Sequence, residues 1–335
     1  MTNASPAAHT NVIPMPTRHG HGPTRRHACV TPRPQVLDAV IVGGGPSGLS
    51  AALVLGRARR NVLVLDTGRP ANAVSPAVGG LLAQVGVAPT ELRRAGREQL
   101  AEHPTVEVRN AAVLGARPHD DGFEVTLGDG ARVRTRSLIL AHGLRYDPPS
   151  LPNMDTLWGR SVFHCAFCDG WEVRDRPLAI HGNGREAARS ALVLAGWSRD
   201  VILCTDGPAE LDHEREALDR AGVRVREEPI RDLVEADGRL DRIEFASGPA
   251  EERDALFVRT RRDQPNDLAA TLGCELTDAG TIVIDGEGRT NVPGVYAAGD
   301  AATERSRSVA NAIGTGSRVA YAVALDLVTE LAAAA

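Results

Sequence analysis

Three consecutive glycines set between two short apolar runs restrict this chain more than any other feature. Residues 39–42 form an apolar run, Gly43-Gly44-Gly45-Pro46-Ser47-Gly48 follows, a helical pattern extends from Leu49 to about Arg59, and a second apolar run over 61–65 ends on Asp66. The order predicts strand, turn, helix, strand. Gly43-x-Gly45-x-x-Gly48 allows a tight turn, close approach of a pyrophosphate, and close packing of helix on strand. The helix N-terminus adds unsatisfied N–H groups and a partial positive charge, which suits phosphates. Asp66 stands 18 residues beyond Gly48, near the offset of an acid that bonds an adenosine ribose. Glycine turns also serve plain loops. Strand, helix and acid in register make Gly43, Gly45, Pro46, Ser47, Gly48 and Asp66 candidate dinucleotide-binding residues.

A similar unit returns later: residues 177–180, then Gly182-Asn183-Gly184, a helix over about 185–195, and a strand at 201–204 that ends near Asp206. Between the units, 122–127 and 131–136 alternate like a hairpin around Gly128-Asp129-Gly130. Two such units predict an α/β fold of two Rossmann-like dinucleotide-binding domains. The length of 335 residues suits two domains. The expected division is 37–154 with 277–335 for the first, discontinuous domain and 155–276 for the second, inserted one. Residues 1–36, rich in Pro, His, Thr and Arg, read as a solvated tail. The tail carries His9, His19, His21, His27 and Cys29, whose spacing fits no metal-site template.

Composition removes several function classes. A net charge of −5 argues against nucleic acid or an acidic membrane as the main partner. All 38 basic residues are arginine. No apolar stretch approaches the roughly 20 residues that span a bilayer, and the start of the chain lacks the apolar core of a secretory leader. A cytoplasmic location is the expectation. Of the five cysteines only Cys165 and Cys168 are close, so no structural disulfide framework is available. In a reducing compartment such a pair is catalytic or metal-binding. Zinc would require two further ligands, and His164 is the only adjacent candidate, so redox use is expected and no metal. Cys204 and Cys274, on or near apolar strands, read as buried small hydrophobes. His142 and His181 lie by glycines at strand ends, where packing and nucleotide contact are both open.

Several motifs extend this reading through resemblance. Residues 290–300, ending Ala297-Ala298-Gly299-Asp300, resemble the second FAD fingerprint of two-dinucleotide-domain flavoproteins, in which Gly299 and Asp300 would meet the cofactor and the helix over about 308–327 would point its N-terminus at the flavin. Leu138-Ile139-Leu140-Ala141-His142-Gly143 is similar to the Ala-Thr-Gly strand of that family, with His142 in place of Thr. Cys165-Ala166-Phe167-Cys168-Asp169-Gly170, between two glycine loops, resembles low-molecular-weight thioredoxin reductase over nearly all of 37–330. The resemblance implies FAD as cofactor and a homodimer. It implies that Cys168 lies against the flavin, that Cys165 exchanges with the thiol partner, and that Asp169 manages the thiol proton.

The second glycine loop departs from that pattern. Thioredoxin reductases of this type follow the next strand with a His-Arg-Arg cluster that holds the NADPH 2′-phosphate, whereas this chain reads Cys204-Thr205-Asp206-Gly207-Pro208. An acid at this place repels a 2′-phosphate and suits a ribose hydroxyl, so at a second nucleotide site of Gly182, Gly184 and Asp206, NADPH is disfavoured and NADH or no pyridine nucleotide stays open. Residues 69–73, 86–100, 158–164 and 170–175 are similar to a branch that includes the dithiol oxidases of holomycin- and gliotoxin-type biosynthesis. Many members of that branch have His after the second cysteine; here Asp169 follows it, as in the reductases. The expected partner is a small-molecule dithiol, with oxygen as acceptor, or a thioredoxin-like protein. A non-catalytic redox sensor is the reading from another class.

Overall fold

The apolar run after Gln35 forms β1 (Leu37–Val42). Pro46, whose fixed φ suits a first helical turn, opens α1 (Pro46–Arg57) directly after the glycines. This computed structural model describes residues 36–333 apart from Asp121 and Arg305, so the expected tail lies outside the described residues. β2 (Val62–Asp66) runs parallel to β1, with Ala39 opposite Val62 and Val42 opposite Leu65. After α2 (Pro89–Ala101) come β3 (Val106–Asn110), β4 (Val113–His119), β5 (Gly122–Leu127) and β6 (Arg132–Leu140). β6 joins the expected hairpin arm and the strand beyond it into one element, antiparallel to β5 at its start and parallel to β1. The resulting order is β3-β2-β1-β6-β5-β4.

The chain then passes through β7 (Arg145–Asp147), α3 (Met154–Leu157), β8 (Val162–Phe163) and α4 (Ala166–Asp169). The second unit follows as β9 (Leu178–His181), α5 (Gly184–Leu194) and β10 (Val201–Cys204), then α6 (Arg215–Arg220) and β11 (Arg224–Arg226). A hairpin of β12 (Ile230–Ala236) and β13 (Arg239–Phe245) takes β14 (Glu251–Glu252) as a third strand. β15 (Ala255–Val258) completes a second parallel sheet in the order β11-β10-β9-β15-β8. β16 (Arg261–Asp263) pairs antiparallel with β7, so a two-stranded ribbon joins the chain's exit from the first sheet to its return. α7 (Leu268–Thr271), β17 (Val295–Ala297), a 3₁₀ turn at Gly299–Ala302 and α8 (Val309–Ala333) follow. β17 lies parallel to β6 in the first sheet. α8 outruns its expected end because Leu-Ala-Ala continues the helix with strong formers.

The inner strands β1, β2, β9, β10 and β15 are covered on both faces, which explains why they are predominantly apolar rather than alternating. On one face of the first sheet, Ala39, Ile41, Val62, Val64 and Ile139 pack against Ala51, Ala52 and Leu55 of α1 and Val319, Val323 and Leu327 of α8. On the other, Val40, Val42, Leu63, Leu65, Leu138 and Leu140 meet Phe123, Val125 and Leu127 of β5. The second sheet places Leu178, Ile180, Val201 and Leu203 against α5 and turns Ala179, Ile202, Cys204 and Leu256 to the β12–β13 hairpin. This packing sets both glycine turns at the carboxyl ends of parallel strands, where ligands of open α/β sheets bind.

Candidate redox site and nucleotide loops

The first glycine loop is shaped by close approaches. Gly43 has φ +106°, and a Cβ there would stand 2.4 Å from the Ala141 carbonyl oxygen. A Cβ on Gly48 would stand 1.9 Å from the Gly43 carbonyl oxygen, so α1 packs onto the turn only through glycine. In front of Gly45 the space is open, with nothing within 4 Å of an added Cβ. No side chain caps the N-terminus of α1. Asp66 ends β2 beside the loop, and a Cβ on Gly44 would meet its carboxylate at 2.8 Å. Its Oδ2 receives Arg93 at 2.6 Å and also Arg97. Burial raises the Asp66 pKa, but backbone N–H groups and Arg93 outweigh it and hold the carboxyl below its ordinary value. Arg93 also reaches the Gly44 carbonyl oxygen at 3.4 Å. Sequence reasoning missed these arginines; their one signal is the four-residue spacing on a polar helix.

Gly299 and Asp300 lie at the carboxyl end of β17. The Gly299 N–H is held by Thr315 Oγ1 of α8 at 3.0 Å. Asp300 Oδ2 accepts from Tyr146 Oη at 2.8 Å, and burial raises its pKa against that hydrogen bond. Tyr146 belongs to the β7–β16 ribbon, and its ring lies 4.7 Å from that of His164, which also stacks on Trp158 at 5.8 Å. Crowding by protein, with the guanidiniums of Arg262 and Arg307, presses the His164 pKa down to about 4, so the ring beside Cys165 is neutral. Arg262 and Arg307 line a hollow of about 300 Å³ with Thr260, Ala279 and Glu304. The sequence offered no local cue to Tyr146, Arg262 or Arg307.

Cys165 and Cys168 form a disulfide, with Cα atoms 5.3 Å apart. The short α4 holds the turn: the N–H groups of Cys168 and Asp169 both reach the Cys165 carbonyl oxygen at 3.1 Å. Asp169 is pushed up to about 7, first by burial and then by the charge of Glu172. The loop before α2 leans on this turn, since a Cβ on Gly79 would lie 3.0 Å from the Cys168 carbonyl oxygen and 3.4 Å from Glu172 Oε1. Phe167 and Trp171 flank the second cysteine and are 79% and 65% exposed, an apolar surface beside the disulfide. Trp197 supports the turn from below: its ring meets Phe167 edge-on at 5.3 Å and stands 3.1 Å from a Cβ placed on Gly170. Arg174 covers the Trp171 ring at 3.9 Å.

The second glycine loop contrasts with the first. Asn183 caps α5 with its own side chain: Oδ1 accepts from Gly184 N at 2.8 Å and from Glu210 N at 2.9 Å, and Nδ2 donates to the Pro208 carbonyl oxygen at 2.8 Å. Asp206, at φ +54°, uses Oδ1 to accept from Ile230 N at 2.8 Å. Its Oδ2 lies 3.7 Å from Nε2 of His181, whose pKa burial lowers despite that acid. Nearby arginines are engaged internally. Arg226 pairs with Glu228 and Glu251, and the buried Arg253 pairs with Asp200 and Glu251. Cys204 is buried, its thiol pushed up to about 12, and Cys274 is buried and raised as well. Both fit the reading as inert packing groups. Among the described residues no cluster of three or more His, Cys, Asp or Glu could hold a metal. No helix there is long and apolar enough to cross a membrane.

The chain belongs to the pyridine nucleotide-disulphide oxidoreductase family, whose model matches residues 37–316. It is a thioredoxin reductase-like, FAD-dependent oxidoreductase acting on sulfur groups. Thioredoxin reductase aclD of Aspergillus oryzae is 30% identical, covering 85% of this chain and 97% of its own. Among solved structures, HlmI is 38% identical with a TM-score of 0.84, covering 89% of this chain and 95% of its own. An oxidoreductase from Agrobacterium tumefaciens is 32% identical with a TM-score of 0.82, over 88% and 99%. The residues present fit FAD: an uncapped helix N-terminus behind an open Gly45, a buried acid at Asp300, and buried polar atoms without partners at His142 Nδ1 and Arg307 Nε.

Proposed function

We propose that this protein oxidises a small-molecule dithiol to a disulfide through Cys165 and Cys168 without using a pyridine nucleotide. The observation that carries this reading is the contrast between the two glycine loops. The first leaves its helix N-terminus uncapped, whereas the second gives its Gly184 N–H to Asn183, with the Glu210 carboxylate 4.0 Å from a Cβ placed on Gly184 and Asp206 beside the preceding His181. Carboxylates at a diphosphate cradle oppose binding, and a helix N–H already bonded offers little to a phosphate.

In the forward reaction a substrate thiolate attacks Cys165 Sγ, the Cys165–Cys168 bond breaks, and Cys168 leaves as a thiolate. The second substrate thiol then displaces Cys165, closing the substrate disulfide and leaving the enzyme as a dithiol. Asp169, poised near pH 7, takes the proton that the substrate thiol gives up. Phe167 and Trp171 offer the substrate an apolar platform. Gly43, Gly45, Pro46, Ser47, Gly48, Asp66, Gly299 and Asp300 would hold FAD, which when bound would supply a two-electron acceptor for the dithiol, with oxygen as the terminal acceptor and hydrogen peroxide as its product.

Asp169 and the relatives named thioredoxin reductase favour a second reading, reduction of a thioredoxin-like protein by an external donor. Anaerobic stopped-flow reduction of the flavin by NADPH, NADH and a reduced dithiol at matched concentrations separates the two. Loss of two charge-assisted hydrogen bonds to a 2′-phosphate predicts NADPH binding weaker by about a hundredfold or more. The oxidase reading expects fast reduction by dithiol and reoxidation by air. Fast reduction by micromolar NADPH would return the protein to the reductases.

A further inference from the structure

The carboxyl ends of three strands come level at one point: Leu140 of β6 pairs in register with Val42 of β1 and with Ala297 of β17. His142 lies two residues beyond Leu140, between the Gly43 turn and Gly299–Asp300. A Cβ on Gly43 would be 2.8 Å from His142 Cα, so the two backbones touch.

Gln264 fixes the chemical state of this ring. Its Nε2 donates to the Gly280 carbonyl oxygen at 2.8 Å and to the Ala301 carbonyl oxygen at 3.1 Å, which uses both amide protons. Its Oε1 therefore faces His142 Nε2, at 2.8 Å, and can only accept. The proton of the neutral imidazole is thus on Nε2, and Nδ1 is a bare acceptor. That Nδ1 is shut off from solvent and has no partner in the protein. Buried acceptors are seldom left unsatisfied, and this one stands where both cofactor fingerprints meet. We infer that His142 Nδ1 accepts a hydrogen bond from a sugar hydroxyl of bound FAD, which makes His142 a cofactor-positioning residue. Gln264, tied to Ala301 directly after Asp300, holds it in that role. The inference rests on the FAD reading of the first loop and concerns which side chain anchors the cofactor there.

Two substitutions separate the ring's ends. Asn at 142 places an amide oxygen where Nδ1 stood, whereas Gln reaches toward Gln264 and leaves no acceptor at the δ position. FAD release from the diluted holoprotein, followed by the gain in flavin fluorescence, reports affinity independently of turnover. His142→Gln is expected to weaken FAD binding by about tenfold and His142→Asn by about twofold. Any result in which the Gln variant holds FAD as well as the Asn variant overturns the inference. A wild-type protein that retains no FAD would instead sink the cofactor assignment beneath it. Nitrogen-15 NMR of histidine-labelled wild-type holoprotein gives a test that no variant's folding can spoil. The His142 Nδ1 resonance should move from the free-acceptor position to lower frequency when FAD is bound, and a resonance that stays at the free-acceptor position overturns the assignment.

Discussion

Asp169 and Glu172 stand three residues apart on one turn, and their coupling sets a pH dependence. Burial and the Glu172 charge raise the Asp169 pKa to about 7, so the group is protonated below that pH and can accept a proton above it. Dithiol-driven reduction of the flavin should therefore rise with pH through about 7. Glu172→Gln removes a repelling charge, lowers the Asp169 pKa, and should move that limb to lower pH. Asp169→Asn should abolish the limb and slow the step by about a hundredfold or more. A profile unchanged in both variants would remove Asp169 from proton handling. The cysteines separate in another measurement: Cys165→Ser should leave a Cys168 thiolate beside the flavin and give a long-wavelength charge-transfer band, absent in Cys168→Ser. Equal spectra would reverse the order of roles. At this scale the sequence was uneven evidence. Cys165, Cys168 and Asp169 fall within five residues, and the motif they make is local. His142 with Gln264, and Asp66 with Arg93 and Arg97, meet only after the chain has folded, and beyond the four-residue spacing of the two arginines nothing in the sequence announces these partners.

The crossing of α1 and α8 shows what one element demands of another. A Cβ on Gly316 would fall 2.0 Å from the Ser47 carbonyl oxygen, backbone against helix backbone, and Ser50 Oγ donates to the Ile313 carbonyl oxygen at 2.8 Å. Gly316→Ala must push α1 away from α8, and with it the glycine turn at the helix start. A cost of about 1–3 kcal/mol in stability is expected, with loss of bound flavin out of proportion to the loss of fold. Thermal melting together with the flavin-to-protein absorbance ratio checks both, and a variant with full flavin would show that the crossing does not position the turn. Gly45 offers the complementary case, because open space lies in front of it. A bulky residue there should spare the fold and give colourless protein. The strand–glycine–helix–strand units were legible because each is local and apolar on both faces. The β7–β16 ribbon was not: its strands are three residues each and pair across more than a hundred residues.

For the molecule as a whole, the two glycine loops make it a flavoprotein with one working nucleotide cradle in this proposal. If the self-cap and its acids are what close the second cradle, Asn183→Ala combined with Glu210→Gln should raise NADH-driven flavin reduction by about tenfold. An unchanged rate would mean that the second domain lost nucleotide binding by other means. Asp206 is a poor place to begin, because it caps Ile230 at a positive φ, and among neutral replacements only Asn both tolerates that φ and keeps an oxygen for the Ile230 N–H. The aromatic arrangement around the dithiol has a practical consequence. The three tryptophans of the chain, Trp158, Trp171 and Trp197, stand behind His164, beside Cys168 and beneath Phe167. A disulfide quenches a nearby excited indole by accepting an electron, and a dithiol does so far less. Tryptophan emission should therefore rise when that bond is reduced, an optical gauge of the protein's own oxidation state that needs no label.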